Sequence, residues 1–213
     1  MATFPLSGPI AATVDILSGV VTVIASERDD VVVEVRPVDA TRKADVRAAE
    51  LTRVECAEGA LSVIAAKDWR TYTPFGGNPS VEVIVEVPVG SRLHATVGAG
   101  RLLSAGELSR CEVQIAAGDI AIERPGAVVT AKTAQGDIRI DDAARGVFRL
   151  ETSHGELEVG VRAGHAAYVE IDAPHGGTRN LMSPVERADD ENTVQVYARN
   201  SYGNVLVRHG VAA

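Results

Sequence analysis

The segment Ala131-Lys-Thr-Ala-Gln-Gly136-Asp-Ile-Arg-Ile140 places a glycine between two short runs of alternating apolar and polar residues. Similar segments surround it: Thr96-Val-Gly-Ala-Gly100-Arg-Leu, Gln114-Ile-Ala-Ala-Gly118-Asp-Ile and Leu150-Glu-Thr-Ser-His-Gly155-Glu-Leu. Successive turn glycines are therefore separated by 18 or 19 residues. A fixed period of this size is typical of stacked copies of one supersecondary unit.

Each copy offers two short strands joined at the glycine, because apolar residues at every second position indicate strands with one buried face. The glycine supplies positive φ or allows close approach of backbones. The sequence thus predicts an all-β, β-solenoid-like stack of two-stranded repeats of about 18 residues, with right-handed coiling as the default for parallel crossovers. The predicted structural turns are Gly100, Gly118, Gly136, Gly155 and Gly203, with a degenerate copy at Gly176 and an early one at Gly19.

A period of about 18 residues is also compatible with the left-handed hexapeptide helix. That fold needs an apolar residue at every sixth position. Here the apolar residues alternate, as at Ile138 and Ile140 or Leu157 and Val159, so we reject the hexapeptide interpretation.

The N-terminal part, residues 1–90, is predicted to contain strands and one helix at 41–51, where helix formers are frequent. A hairpin is expected from the strands at about 52–57 and 60–66, and residues 81–88 form a strongly alternating strand. Residues 91–213 form the glycine-turn repeat part. We expect the two parts to make one continuous elongated domain.

The segment 67–80 contains two prolines and two glycines, which forbid regular structure there. It also contains three aromatic side chains. Trp69, Tyr72 and Phe75 could bind a partner protein or stack on a sugar ring. The alternative is that this loop covers one end of the stack and seals its core, since repeat proteins need such caps.

The repeats Ala116-Ala-Gly118-Asp-Ile, Ala134-Gln-Gly136-Asp-Ile and Ser201-Tyr-Gly203-Asn-Val are similar to the Gly-Asp-Ile or Gly-Asp-Val strand repeats of a bacterial family. That family has no assigned function and is labelled putative adhesin. The N-terminal segments Val33-Glu-Val-Arg-Pro37 and Ala44-Asp-Val-Arg-Ala-Ala-Glu50 are similar to it as well, so the resemblance covers nearly the whole chain. It implies a β-solenoid-like fold and no established activity.

The composition excludes several classes of partner. The chain has 213 residues and a formal net charge of −8, with its basic residues scattered, so we expect no nucleic-acid partner. No apolar run reaches the length of a membrane span, and the first residues lack a secretory signal pattern, so we expect no membrane insertion and a cytoplasmic location. Cys56 and Cys111 lie in strand-like contexts and are expected to be free thiols.

The sequence contains no phosphate-binding, dinucleotide-binding, nucleophile-elbow or zinc motif, so we expect no cofactor and no enzymatic activity. In a parallel stack, side chains next to successive turn glycines lie about 4.8 Å apart. Asp137, His154, Glu156 and His175 could then form a metal or proton site. The alternative is that acids, together with Asp119, follow the glycines because they suit turns and face water.

Three functions remain open. The leading one is a non-catalytic scaffold or interaction module that binds a protein partner or associates with itself. The second is a protein that binds or cleaves carbohydrate, by analogy with other β-helical proteins. The third is a metal-binding protein that uses the ladders beside the turns.

Overall fold

The structure is a computed structural model that describes residues 1–6, 8–66, 79–182 and 193–210. The prediction of a mostly β protein with one short helix in its N-terminal part is confirmed for these residues. In chain order the elements are β1 (Ala2–Pro5), β2 (Ala11–Ser26), β3 (Asp30–Pro37), α1 (Lys43–Leu51), β4 (Arg53–Ala57), β5 (Ala60–Ile64), β6 (Val81–Pro88) and β7 (Arg92–Gln135). They continue with β8 (Ile138–Ala143), β9 (Gly146–His154), β10 (Leu157–Val161), β11 (Ala166–Asp172), β12 (Thr178–Asn180), β13 (Thr193–Tyr202) and β14 (Val205–His209).

The strands belong to one 14-stranded sheet, which divides at the turn glycines into two branches, called the first and second face below. The first face contains the strand segments before the glycines, in the order β4, β5, β2, β7, β9, β13, β11. The second contains the segments after them, in the order β1, β3, β6, β2, β7, β8, β10, β14, β12. The strands β2 and β7 belong to both faces. They stay paired with each other on both sides of Gly19 and Gly100, so each strand continues from the first face into the second.

Neighbouring repeats are aligned in parallel by the position of their glycine. Gly19 of β2 lies opposite Gly100 of β7, and Ile120 of β7 lies opposite Ile138 of β8. Equivalent residues of different repeats therefore form columns across the strands. The inward members of these columns form one hydrophobic core made largely of valine, isoleucine, leucine and alanine, with Phe148 as its largest side chain.

The last repeat of the chain does not lie at the end of the stack. β13 pairs in parallel with β9 on one side and with β11 on the other, and β14 likewise lies between β10 and β12. The Gly203 repeat is thus inserted between the Gly155 and Gly176 repeats, whereas the sequence had placed His154 and His175 in successive copies. The inward side chains of the Gly203 repeat are almost entirely aliphatic, so burial by a neighbouring repeat on each side is favourable. In the Gly176 repeat, β12 is exposed throughout, so this repeat can occupy the outer position.

The N-terminal end of the stack finishes in antiparallel strands. On the second face, β3 pairs antiparallel with β6, and β1 with β3. On the first face, β4 pairs antiparallel with β5, as the predicted hairpin requires. The outer strands are short, and they contain Pro5 in β1 and the exposed Arg53 in β4, features that discourage further strand addition.

Helix α1 packs against the core through Ala48 and Ala49, and it also buries a carboxylate. Asp45 is fully buried and accepts hydrogen bonds from the backbone N–H of Ser80 at 3.1 Å and of Asp39 at 3.3 Å. Leu51, at the end of the helix, is 42% exposed. The Asp39 carboxylate accepts hydrogen bonds from Thr41 in the loop that leads into the helix.

We expect Gly118→Ala to lower the free energy of unfolding by about 3 kcal/mol or more. Gly118 has φ +137°, and a Cβ there would overlap the carbonyl oxygen of Gly100 in the preceding repeat. Gly164 is the matched control, because it also has positive φ (+83°) but nothing within 4 Å of an added Cβ. Gly164→Ala should cost only about 1 kcal/mol, and equal losses in urea denaturation would contradict the close-approach explanation.

The two cysteines are free thiols, as expected. Cys56 is half-buried on β4, whereas Cys111 lies in the core and is 1% exposed. Burial raises the pKa of the Cys111 thiol to about 12.

This raised pKa predicts a loss of stability in alkali. The unfolded chain releases the Cys111 proton above about pH 8.5, whereas the folded chain keeps it up to about pH 12. The contribution is therefore fully present below pH 8.5 and declines by about 1.4 kcal/mol per pH unit above it. Urea denaturation between pH 8 and 11 should show a shallower decline for Cys111→Ala than for the parent. A parallel pair of curves would contradict the prediction. Burial also raises the pKa of the half-buried Cys56 thiol, so Cys56→Ala is a comparison in which we expect a smaller change of slope than in Cys111→Ala.

Candidate functional site

The acids that follow the turn glycines are held by hydrogen bonds between repeats. The Asp119 carboxylate accepts from the backbone N–H of Asp137 at 3.1 Å, and the Asp137 carboxylate accepts from that of Glu156 at 2.7 Å. The side chain of Asn204 continues the column, donating to Glu156 at 3.1 Å and accepting from the N–H of Gly177 at 3.0 Å. These contacts tie each turn to the next one.

The residues before the glycines form a stack of three rings. His154 and Tyr202 have centroids 5.0 Å apart with an interplanar angle of 11°, and Tyr202 and His175 have centroids 4.8 Å apart at 13°. Tyr202 thus separates the two histidines, as the insertion of the Gly203 repeat requires.

The structure does not assemble the predicted metal site. His154 and His175 lie on opposite sides of Tyr202, and the carboxylate of Asp137 accepts from the backbone of Glu156. Across residues 1–6, 8–66, 79–182 and 193–210, no three histidine, cysteine, aspartate or glutamate side chains are grouped so that they could hold a metal ion. The predicted binding residues Trp69, Tyr72 and Phe75 lie outside the described residues.

A second set of hydrogen bonds, on the buried side of the turn glycines, is accepted by the carbonyl oxygens of these glycines. Thr133 donates its hydroxyl to the carbonyl oxygen of Gly118 at 3.0 Å, and Thr152 donates to that of Gly136 at 3.0 Å. Both threonines are at most 5% exposed. A buried carbonyl that loses its donor keeps its desolvation cost, so these hydroxyls stabilise the turns.

We expect Thr152→Val to lower the free energy of unfolding by about 1–3 kcal/mol, because it keeps the shape of the side chain and leaves the carbonyl of Gly136 without this donor. Thr96→Val is the control, since Thr96 is exposed on β7 and valine suits an exposed strand equally well. Chemical denaturation of both variants measures the difference, and a neutral Thr152→Val would show that the carbonyl needs no such donor.

The C-terminal end of the stack is open within the part of the chain that the structure describes. There β11 pairs only with β13, and β12 only with β14. The inward side chains Val169 and Ile171 of β11 are only half-buried, whereas Val196, which lies opposite Val169 on β13, is fully buried. One edge of each face and the end of the core are therefore uncovered by the described residues.

A groove of about 400 Å³ crosses the outer side of the first face near this end. It spans β7, β9, β13 and β11, and its walls are two columns of outward side chains. One column is Thr130, Arg149, Tyr197 and Glu170, and the other is Lys132, Glu151, Arg199 and Asp172.

The groove combines the aromatic ring of Tyr197 with charges of both signs. The guanidinium carbon of Arg149 lies 5.5 Å from the centroid of the Tyr197 ring, and Tyr168 lies 6.4 Å from Tyr197 with a tilt of 59°. In the second column, Lys132 pairs with Glu151 at 2.9 Å, and Arg199 pairs with Asp172 at 3.6 Å.

Sequence reasoning missed this groove. The signal was present in the repeat, because Arg149 and Tyr197 both lie six residues before a turn glycine. Reading that signal required the spatial order of the repeats, which the chain order does not give.

No protein-family model matches the chain, and no curated protein matches it. Three crystal structures are similar over most of their length. The chain is 10% identical to a putative cell adhesion protein from Clostridium sporogenes, with a TM-score of 0.49 and coverage of 97% of this chain and 95% of that one. It is 9% identical to a putative adhesin from Bacteroides fragilis, with a TM-score of 0.45 and the same coverages.

The third is a putative lipid binding protein from Parabacteroides distasonis, at 10% identity and a TM-score of 0.35, with 99% of this chain and 94% of that one covered. Similarity at this level does not transfer a function. Among the described residues, no helix is long and apolar enough to cross a membrane.

Proposed function

We propose that this chain is a non-catalytic, β-solenoid-like interaction module that associates with a second copy of itself through the open end formed by β11 and β12. The observation that carries the proposal is the contrast between the two ends of the stack. Both ends have unpaired strand edges among the described residues, but the N-terminal edge strands β1 and β4 are short and contain Pro5 and the exposed Arg53. The longer β11 instead carries the half-buried Val169 and Ile171 at its unpaired edge. Unpaired edges with half-buried apolar side chains favour strand addition.

The way the chain finishes its own N-terminal end supports the choice of partner. There an antiparallel strand is added to each face: β3 to β6, and β4 to β5. A two-fold axis normal to the faces would add β11 and β12 of a second copy in the same antiparallel sense. Such an interface uses the same patch on both molecules and stops at a dimer.

The side chains of β11 fit an antiparallel pairing centred on Val169. That register places Glu170 opposite Tyr168 of the second copy and Asp172 opposite its Ala166, so that no acid faces an acid. On the inward side, Val169 meets its own equivalent and Ile171 meets Ala167, which extends the apolar core across the interface.

Sedimentation velocity over a range of protein concentrations tests the proposal, and we expect a concentration-dependent dimer. Val169→Lys and Ile171→Lys place a charge at the end of the core, and each should raise the dimer dissociation constant at least 10-fold. Gln195→Lys is the matched control, because it puts the same charge on the outward side of the neighbouring strand β13.

Circular dichroism confirms that each variant is folded. A parent protein that stays monomeric at high micromolar concentration would overturn the proposal. So would lysine variants of β11 that remain folded and associate as well as Gln195→Lys does.

A further inference from the structure

We propose that the groove across β7, β9, β13 and β11 binds a neutral, hydroxyl-rich ligand, namely a glycan chain without acidic groups. The groove crosses four strands, which gives it a length of about 14 Å. That length suits a short stretch of an extended polymer better than a single small metabolite.

The charges of the groove select against ionic ligands. Its walls carry three bases, Lys132, Arg149 and Arg199, and three acids, Glu151, Glu170 and Asp172. The whole chain has a formal net charge of −8, so the long-range field also disfavours polyanions. Phosphorylated or uronate-rich ligands are therefore poor candidates. Polycations are poor candidates as well, because the acids of the groove do not outnumber its bases.

The hydrogen-bonding groups suit hydroxyls, which can both donate and accept. Arg149 lies against the ring of Tyr197 and forms no ion pair within the described residues, so its N–H groups can donate to a ligand oxygen. Glu170 lies opposite Tyr197 on the other side and makes no hydrogen bond or ion pair with the described residues. Its carboxylate can therefore accept from a ligand hydroxyl.

The aromatic side chains provide the apolar part of such a site. Tyr168 is 56% exposed on β11, and its ring lies beside that of Tyr197. A tyrosine ring offers an apolar body with a polar tip, which matches a sugar ring that has C–H groups on its face and hydroxyls on its edge. The rigid pairing of four strands holds these groups in place without a ligand, which lowers the entropic cost of binding.

The test is a printed array that contains neutral hexose and N-acetylhexosamine oligosaccharides beside uronate-containing and sialylated ones. Calorimetric titration with the best neutral ligand follows. We expect binding of neutral glycans, with the dissociation constant raised at least 10-fold by Tyr197→Ala and by Arg149→Met. Tyr202→Ala is the matched control, because that ring belongs to the corner stack outside the groove and its loss should leave the dissociation constant unchanged.

Absence of binding to every neutral glycan would overturn the inference, as would binding confined to acidic glycans. Binding that survives in folded Tyr197→Ala and Arg149→Met variants but is lost in Trp69→Ala would place the site in the segment 67–78 instead. Val169 points inward and lies outside the groove, so Val169→Lys separates the two proposals: glycan binding should persist in this variant when self-association is lost.

Discussion

The close approach of each turn glycine to the glycine of the preceding repeat is the contact on which the rest of this structure depends. A side chain at Gly118 would occupy the position of the carbonyl oxygen of Gly100, and the same relation links Gly136 to Gly118 and Gly155 to Gly136. Because glycine has no Cβ, the backbones of neighbouring repeats can approach this closely at the turns, and the strands of both faces stay in register there. The spacing of the glycines then sets the spacing of every other column.

The columns beside the glycines follow from that register. On the buried side of the turns, Thr133 and Thr152 donate to the carbonyl oxygens of Gly118 and Gly136. On the outer side, Asp119 and Asp137 accept from the N–H group one repeat further along. The acids of the motif are thus explained by the backbone groups of the turn, since a buried or bent backbone must find its hydrogen bonds locally.

The sequence predicted the features that depend on local pattern: the alternating strands, the turn glycines and the short helix. It failed where a distant residue decides the outcome. The burial of Asp45 in helix α1 was not predicted, because its partners Ser80 and Asp39 lie in segments whose proximity no helical periodicity can show. The groove was missed for the same reason, since its walls come from four strands that are separated in the chain.

The insertion of the last repeat has an electrostatic explanation in the outer column of the first face. If the repeats were stacked in chain order, Glu151 of β9 would lie beside Asp172 of β11, and like charges that close on neighbouring strands repel. In the structure, Arg199 of β13 lies opposite Glu151 on one side and opposite Asp172 on the other. The column then alternates in sign from Lys132 onward. The out-of-order repeat therefore removes one repulsive contact. It also brings Tyr197 between Arg149 and Glu170, so the arrangement that stabilises the stack is the one that forms the groove.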